Sequence, residues 1–203
     1  MSRTIFDASI PNLLLCRISS FLLRMFGWRK EGNLPDIPKY VMIGAPHTSS
    51  WDFPITLAYA FAFKVKVFWM GKETLFRRPF GRFMRWCGGI PIDRTKSNNT
   101  VAQTVQLFNN LEKLVMIISP EGTRKKVGSW KTGFYHIADG AKVPILLGFL
   151  DYRRKAGGFG PLIFPSGDMI NDMEAIRGFY ETVTGKHPEL ESLVRVRMIS
   201  RFH

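Results

Sequence analysis

The sequence predicts a single α/β domain with a central, mostly parallel sheet flanked by helices. Three observations support this fold class. Short apolar runs with the length and branching of buried strands alternate with longer, helix-like segments. Polar clusters directly follow two of these runs, and ligands bind at such carboxyl ends of strands in open α/β sheets. Finally, 203 residues are enough for one sizeable core but few for two independent domains.

The first predicted element is an apolar helix that begins near Pro11, a residue that suits a first helical turn, and continues to Trp28. Arg17 and Arg24 share one face, and leucine, isoleucine and phenylalanine cover the broad opposite face. A helix of this kind is typical of a membrane interface, and packing on the domain's own core is the alternative. We therefore predict an amphipathic membrane-interface segment at residues 1–30, ahead of the α/β domain.

A buried strand predicted at residues 40–45 runs into a polar loop that contains His47 and Asp52. A helix should follow at residues 53–63, with Asp52 in its first turn. The candidate cap residues are Thr48, Ser49 and Ser50. An imidazole beside a carboxylate suits general-base catalysis. Chance gives this spacing in roughly one such sequence in six, so the position after a strand carries the prediction.

Residues 65–70 alternate like a second strand, and residues 75–86 then interleave arginines with large aromatic side chains. Such a segment could bind nucleic acid by stacking and phosphate contacts. It could equally bind anionic lipid with its rings inserted. We favour lipid, because the N-terminal helix already indicates a membrane and no nucleic-acid-binding motif is present.

Two further polar segments follow predicted strands. A glycine-rich turn at residues 88–89 leads into a short strand that ends at Arg94, which could bind a phosphate with two hydrogen bonds or pair with a neighbouring aspartate. A helix at residues 97–113 precedes a buried strand at 114–118. That strand runs into residues 119–126, which read either as a site facing the His47 loop or as an ordinary turn.

The remaining predicted elements are a helix at 130–138, strands at 143–149 and 162–164 with a basic turn at 153–158 between them, and a surface helix at 172–182. We expect a polar tail after them, without chemistry.

The chain is strongly basic, with 29 lysines and arginines against 16 acidic residues and a formal net charge of +13. An anionic partner is therefore expected: nucleic acid, an acidic membrane surface or a phosphorylated substrate. No uninterrupted apolar run reaches the roughly 18 residues that a spanning helix needs, and we predict neither a spanning helix nor a signal peptide.

Metal and disulfide chemistry have little support in the sequence. Cys16 and Cys87 form neither a disulfide framework nor a metal-ligand pair, which favours a reducing environment. His136, His187 and His203 lack a partner at the exit of a strand, so we assign them no role. We expect no metal site.

Four blocks of this sequence stand in the order and spacing of one known family. They are His47 with Asp52, residues 88–94, residues 119–124 and residues 143–145. The sequence thereby resembles the glycerolipid acyltransferase family, which includes the 1-acylglycerol-3-phosphate acyltransferases. The combination is far more specific than any one block. Residues 31–203 would then form the acyltransferase domain.

The resemblance implies that a fatty acyl group moves from acyl-CoA or acyl carrier protein to a free hydroxyl of a lysophospholipid, without a cofactor. It makes His47 the base and Asp52 the residue that orients it. The residues that it assigns to the acceptor's glycerol-phosphate part are Arg94, Glu121 and Gly122, with Thr123 and Arg124 as further contacts. We expect the protein on the cytoplasmic face of a membrane, peripheral or monotopic, on an anionic surface and without nucleic acid.

The acceptor remains open at this point. Pro46 precedes the histidine where many members have asparagine. Arg94 and Arg124 favour 1-acylglycerol-3-phosphate, and a lyso-ornithine lipid is the alternative. Two other classes compete: a non-enzymatic basic module that binds membranes or RNA, and a hydrolase that uses water as the acceptor.

Overall fold

The centre of the molecule is a seven-stranded sheet. The computed structural model describes residues 4–7, 9–92 and 97–195. The strands are β1 (Arg29–Glu31), β2 (Lys39–Ala45), β3 (Phe68–Lys72), β4 (Gly89–Ile92), β5 (Leu114–Ile118), β6 (Ile145–Asp151) and β7 (Ala156–Ile163). The helices are α1 (Ser9–Met25), α2 (Asp52–Ala62), α3 (Gly81–Trp86), α4 (Ser97–Asn110), α5 (Gly133–Ala141) and α6 (Met169–Tyr180).

The strands lie in the order β1-β7-β6-β2-β5-β3-β4. β2 lies at the centre and pairs in parallel with both β5 and β6. β3 pairs in parallel with β5 and β4. β7 runs antiparallel to β6, and β1 pairs in parallel with β7. The predicted single α/β domain with a mostly parallel sheet is therefore confirmed, and the ends of β2, β5 and β6 meet at one edge.

Both faces of the sheet are covered, which explains why its central strands are apolar throughout. On one face, α4, α5 and α6 pack against the sheet through Phe108, Phe134 and Ile176, each at most 1% exposed. Helix α2 covers the other face with Ala60 and Phe61. Burial of a side chain as large as phenylalanine contributes about 1.5–3 kcal/mol. These two layers hold the strand ends in place.

The last part of the sheet differs from the prediction. β7 begins inside the predicted basic turn and is longer than the predicted strand at 162–164. This strand needs a glycine at position 157, because a side-chain carbon there would lie 2.6 Å from the Tyr59 ring. Gly158 has a φ of +154° and lies against the backbone of Glu31 in β1, a strand that the sequence did not indicate. These glycines serve close packing, not a turn.

Helix α1 packs on α2 along a narrow line. Leu23 and Trp28 are buried against Tyr59 and its neighbours on α2. Most other large apolar side chains with described positions in and just after α1 are exposed: Leu13, Leu14, Ile18, Phe21, Leu22, Met25 and Phe26. We call these seven side chains the α1 apolar face.

Within residues 4–7, 9–92 and 97–195, no helix combines the length and apolar character needed to cross a membrane.

Candidate active site

His47 and Asp52 contact each other at the carboxyl end of the central strand. β2 ends at Ala45, and α2 begins at Asp52, so the loop between them carries His47 across the edge of the sheet. Nδ1 of His47 lies 3.0 Å from Oδ2 of Asp52. The histidine side chain is 32% exposed and the aspartate side chain 6%. The predicted pair is thus a buried carboxylate behind an accessible imidazole.

The Asp52 carboxylate also holds its own loop. Its Oδ2 accepts hydrogen bonds from the backbone N–H groups of Thr48, at 3.0 Å, and Ser49, at 2.9 Å. These bonds replace the predicted cap, which was wrong: Trp51 stands at the N-cap of α2 without a side-chain cap bond. The carboxylate lies in the first turn of α2, where the helix dipole favours negative charge.

The environment of Asp52 favours its ionised form. Burial raises the pKa of this carboxyl, but hydrogen bonds from His47, Tyr152 and Ser49 outweigh burial and hold the pKa below its ordinary value. An ionised carboxylate only accepts hydrogen bonds. Nδ1 of His47 must therefore carry the proton in this pair, which leaves Nε2 of the neutral ring as an acceptor for a substrate proton.

Glu121 approaches the same loop from the neighbouring strand. It follows β5, and both of its carboxylate oxygens lie 3.1 Å from the backbone nitrogen of His47. The Ser119 hydroxyl donates to Oε2 at 3.0 Å. Glu121 is only 3% exposed, and burial raises its pKa. The described contacts of Glu121 are with the protein, and its contact with an acceptor remains a prediction.

The residues after Glu121 in the third block, 119–124, are closer to the surface than Glu121 is. Gly122 has a φ of +66°, in the left-handed region that favours glycine. Thr123 accepts a hydrogen bond from the backbone of Lys125 at 3.3 Å. The exposed Arg124 donates to the Ser50 hydroxyl on the His47 loop. Arg94, the other predicted phosphate contact, lies outside the described residues.

Tyr152 also belongs to the site, although the sequence did not indicate it. Its hydroxyl donates to Oδ1 of Asp52 at 2.7 Å, and it follows β6, which pairs with β2. The signal that could have indicated it is its position directly after a predicted strand, because the carboxyl ends of neighbouring parallel strands lie close together. This signal is usable only once the strand order, which places β6 beside β2, is known.

The segment after α6 was also missed, because it was expected to lack chemistry. The Thr184 carbonyl accepts from the backbone of Tyr152 at 2.8 Å. The backbone of His187 donates to the Thr48 hydroxyl at 3.1 Å, and the ammonium of Lys186 lies 5.2 Å from the centre of the Trp51 ring. This segment therefore lines the His47 loop, and no local sequence signal indicated that.

An apolar cavity of about 190 Å³ begins at the His47–Asp52 pair. It extends between α2 and the sheet. Its lining includes His47, Phe53, Leu57, Ala60, Val67 and Phe159. The space is many times what one water molecule needs, and it offers few polar partners. The pair thus lies in the wall of an apolar cavity, and the imidazole of His47 is also partly exposed to solvent. No cluster of potential metal ligands occurs in the parts of the chain that the structure describes.

Comparisons with known proteins show the family of this chain. The model of the family described as Acyltransferase matches residues 28–146, more than half of the chain. A 1-acyl-sn-glycerol-3-phosphate acyltransferase from Streptococcus pneumoniae is 32% identical over 128 residues, which cover 59% of this chain and 47% of that protein. This chain therefore spans about half the length of that curated relative.

The fold has a counterpart among solved structures. The crystal structure of the 1-acyl-sn-glycerophosphate (LPA) acyltransferase PlsC from Thermotoga maritima superimposes with a TM-score of 0.58 at 18% identity, covering 84% of this chain and 78% of that one. The family match spans His47, Asp52 and Glu121 together with β2 and β5, the strands that precede His47 and Glu121. This chain belongs to the Acyltransferase family.

Proposed function

We propose that this protein transfers a fatty acyl group from an acyl thioester to a free hydroxyl of a lysophospholipid, and that the preferred acceptor is 1-acylglycerol-3-phosphate. The observation that carries the proposal is the His47–Asp52 pair in the wall of an apolar cavity. The family match and the name of the Streptococcus pneumoniae relative support the same reaction.

In the proposed reaction, Nε2 of His47 takes the proton from the acceptor hydroxyl as its oxygen attacks the thioester carbonyl carbon. Asp52 stabilises the imidazolium that forms and keeps the proton of Nδ1 in place. The tetrahedral intermediate then collapses, the carbon–sulfur bond breaks, and the departing thiolate takes the proton from the imidazolium. An ester and a free thiol result, and the enzyme returns to its starting state.

The cavity suits the acyl chain. Its wall is formed by apolar side chains of α2 and of the sheet, and it adjoins the ring of the base. A fatty acyl chain placed there would leave water and bring its carbonyl group to the His47 edge. Burial of each methylene group contributes about 0.8 kcal/mol. Chain binding would thus position the reacting carbon, which raises the rate of a two-substrate reaction.

The acceptor's phosphate would meet a cationic rim around the His47 loop. Arg124 bonds to this loop, and Lys186 lies over its Trp51 ring. The ammonium group of Lys131 lies close to Gly122, since a side-chain carbon added to this glycine would be 3.4 Å from Nζ. Arg94 belongs to the same proposed phosphate site by its position in the sequence motif. Guanidinium and ammonium groups are suited to phosphate.

Either acyl-CoA or acyl carrier protein would serve as the donor. CoA phosphates and an acidic carrier are both anionic, and a net charge of +13 attracts both. The charge of the protein therefore suits both donors equally.

We further propose that the protein works on the cytoplasmic face of an anionic membrane, with residues 1–30 as its interfacial segment and 31–203 as the acyltransferase domain. The α1 apolar face is exposed, and so are Leu75, Phe80, Phe83 and Trp86 around α3. Arginines accompany both groups. Apolar side chains beside arginine suit the boundary between acyl chains and head groups.

The test is an assay of the purified chain in lipid vesicles with long-chain acyl-CoA or acyl carrier protein, and with lysophosphatidate, lyso-ornithine lipid or water as the acceptor. We expect a thiol and a two-chain lipid in equal amounts.

The His47→Ala variant should lose at least about 10²-fold in kcat. The control is His136→Ala, which changes an exposed histidine on α5 and should keep the kcat of the wild type. Turnover that survives His47→Ala in folded protein would exclude His47 as the base.

The products separate the other classes. Free fatty acid as the sole product would identify a hydrolase. Salt-dependent binding to vesicles or RNA without turnover would identify a non-enzymatic module.

A further inference from the structure

The two oxygens of the Asp52 carboxylate have different partners. Oδ2 accepts hydrogen bonds from Nδ1 of His47 and from the backbone of Thr48 and Ser49. Oδ1 accepts from the Tyr152 hydroxyl at 2.7 Å. Asp52 is 4% exposed, so water is a poor substitute for the tyrosine. The hydroxyl of Tyr152 therefore satisfies the half of the carboxylate that faces away from the histidine.

Tyr152 is itself held in a fixed position. Its ring meets the Trp28 ring edge to face, with centroids 5.0 Å apart. Its backbone nitrogen donates to the Thr184 carbonyl at 2.8 Å. The residue before it, Asp151, is fully buried and binds both the backbone and the guanidinium of Arg154. Three different segments thus fix this side chain, as expected for a group that must orient another.

We infer that Tyr152 is a positioning residue for the His47–Asp52 pair, which it serves by fixing the Asp52 carboxylate from behind. This inference rests on the proposed function, in which His47 is the base. Without the hydroxyl, a buried carboxylate oxygen would lack a donor, and that loss is larger for a charged group than for a neutral one. The carboxyl would then turn away from His47 or take up a proton. Either change weakens the base.

The groups that face Asp52 set its protonation state. His47 faces it from the β2–α2 loop, Tyr152 from the β6–β7 turn, and the carboxylate of Glu121 lies nearby beyond β5. The Tyr152 hydrogen bond is one of the causes that lower the pKa of Asp52. Its removal raises that pKa. A protonated Asp52 cannot stabilise the imidazolium of His47 with a negative charge, so kcat should fall.

The test compares two single-hydroxyl deletions. Tyr152→Phe removes the bond to Asp52 and keeps the ring on Trp28. Tyr135→Phe removes a tyrosine–aspartate bond of the same 2.7 Å length, to Asp172, on α5 and α6. We expect Tyr152→Phe to lower kcat about tenfold, with KM values within about twofold. Tyr135→Phe should keep the kcat of the wild type.

Nitrogen-15 spectra of the His47 ring provide a second readout that needs no turnover. In the wild type we expect the tautomer with the proton on Nδ1, and in Tyr152→Phe a population with the proton on Nε2. An unchanged kcat together with unchanged His47 shifts would overturn the inference, as would an equal loss of kcat in Tyr135→Phe. If His47→Ala stays active, the proposed base fails, and the ring spectra alone then decide whether Tyr152 orients the pair.

Discussion

The backbone N–H of His47 lies 3.1 Å from both carboxylate oxygens of Glu121, a residue 74 positions away in the sequence. The two residues follow β2 and β5, which pair in parallel, so their loops leave the sheet side by side. Asp52 binds the ring of the same histidine. Two buried carboxylates therefore hold one histidine. Glu121 accepts a hydrogen bond from the backbone of His47, and Asp52 accepts one from its ring.

Replacement of Asp52 by asparagine should reduce kcat/KM by about 10²- to 10⁴-fold. Asparagine keeps the size of the side chain but cannot stabilise the imidazolium with a negative charge. Its amide nitrogen would also face a hydrogen-bond donor at a place where the carboxylate oxygen accepts a hydrogen bond. Steady-state kinetics on the folded variant measure this effect. Asp172→Asn is the control, since Asp172 also accepts from a tyrosine at 2.7 Å and should retain activity. Wild-type turnover in Asp52→Asn would contradict the proposed mechanism.

The Glu121→Gln variant should differ from the wild type in the pH dependence of its stability. Burial raises the pKa of Glu121 above its ordinary value of 4.5. The folded state therefore holds this proton more tightly than the unfolded state. The stability that protonated Glu121 provides is full below the ordinary value and is lost as pH rises through the folded pKa.

Thermal unfolding at several pH values tests this prediction. The Tm of the wild type minus that of Glu121→Gln should decrease as pH rises through this window, because glutamine does not ionise. A difference that stays constant between acidic and neutral pH would contradict the prediction. Asp52 is present in both proteins, so its own titration largely cancels in the comparison.

A larger side chain at Ala60 should shorten the preferred acyl chain. Ala60 lies eight residues beyond Asp52 on α2, which is about 12 Å along the helix, and it lines the cavity. We expect Ala60→Leu to lower kcat/KM for a long-chain donor about tenfold relative to a medium-chain donor. A competition assay with mixed donors measures the ratio. Ala62→Leu, on the same helix and similarly buried but outside the cavity lining, should leave it unchanged. The same ratio of long-chain to medium-chain kcat/KM in both variants would show that the cavity does not bind the acyl chain.

The Phe21→Asp variant should bind anionic vesicles about tenfold or more weakly than the wild type. Phe21 belongs to the α1 apolar face and is 65% exposed, and insertion of a phenylalanine is worth about 1.5–3 kcal/mol. Vesicle co-sedimentation gives the partition coefficient. Phe164→Asp is the matched control, because Phe164 is 66% exposed and follows the end of β7 far from the His47 edge. Similar losses in both variants would mean that α1 has no special part in membrane binding.

Much of the site was predictable because its residues follow apolar runs directly. The strand before His47 and the strand before Glu121 each read as buried in the sequence, and parallel strands bring such endings together. The contact between them required only that β2 and β5 be neighbours. Tyr152 was hidden for a different reason: its contact with Asp52 spans 100 residues and depends on β6 lying on the other side of β2.

The sheet edge beyond β6 was harder to predict. Gly157 and Gly158 carry the local signature of a turn, yet they lie in β7, where β1 and α2 approach the backbone closely. Local sequence cannot distinguish a glycine that turns the chain from one that makes room for another element. The predicted strand therefore came out too short, and β1 was missed with it.

The sequence by itself determined the fold class, the alternation of strands and helices, and the chemical pair of His47 and Asp52, because apolar periodicity and short-range spacing are local properties of the chain. Only the tertiary structure decided how that pair is held. Glu121, Tyr152 and His187 contact the His47–Asp52 segment from three separate parts of the chain. Which segments meet depends on the strand order, and burial of both faces of the sheet against helices fixes that order.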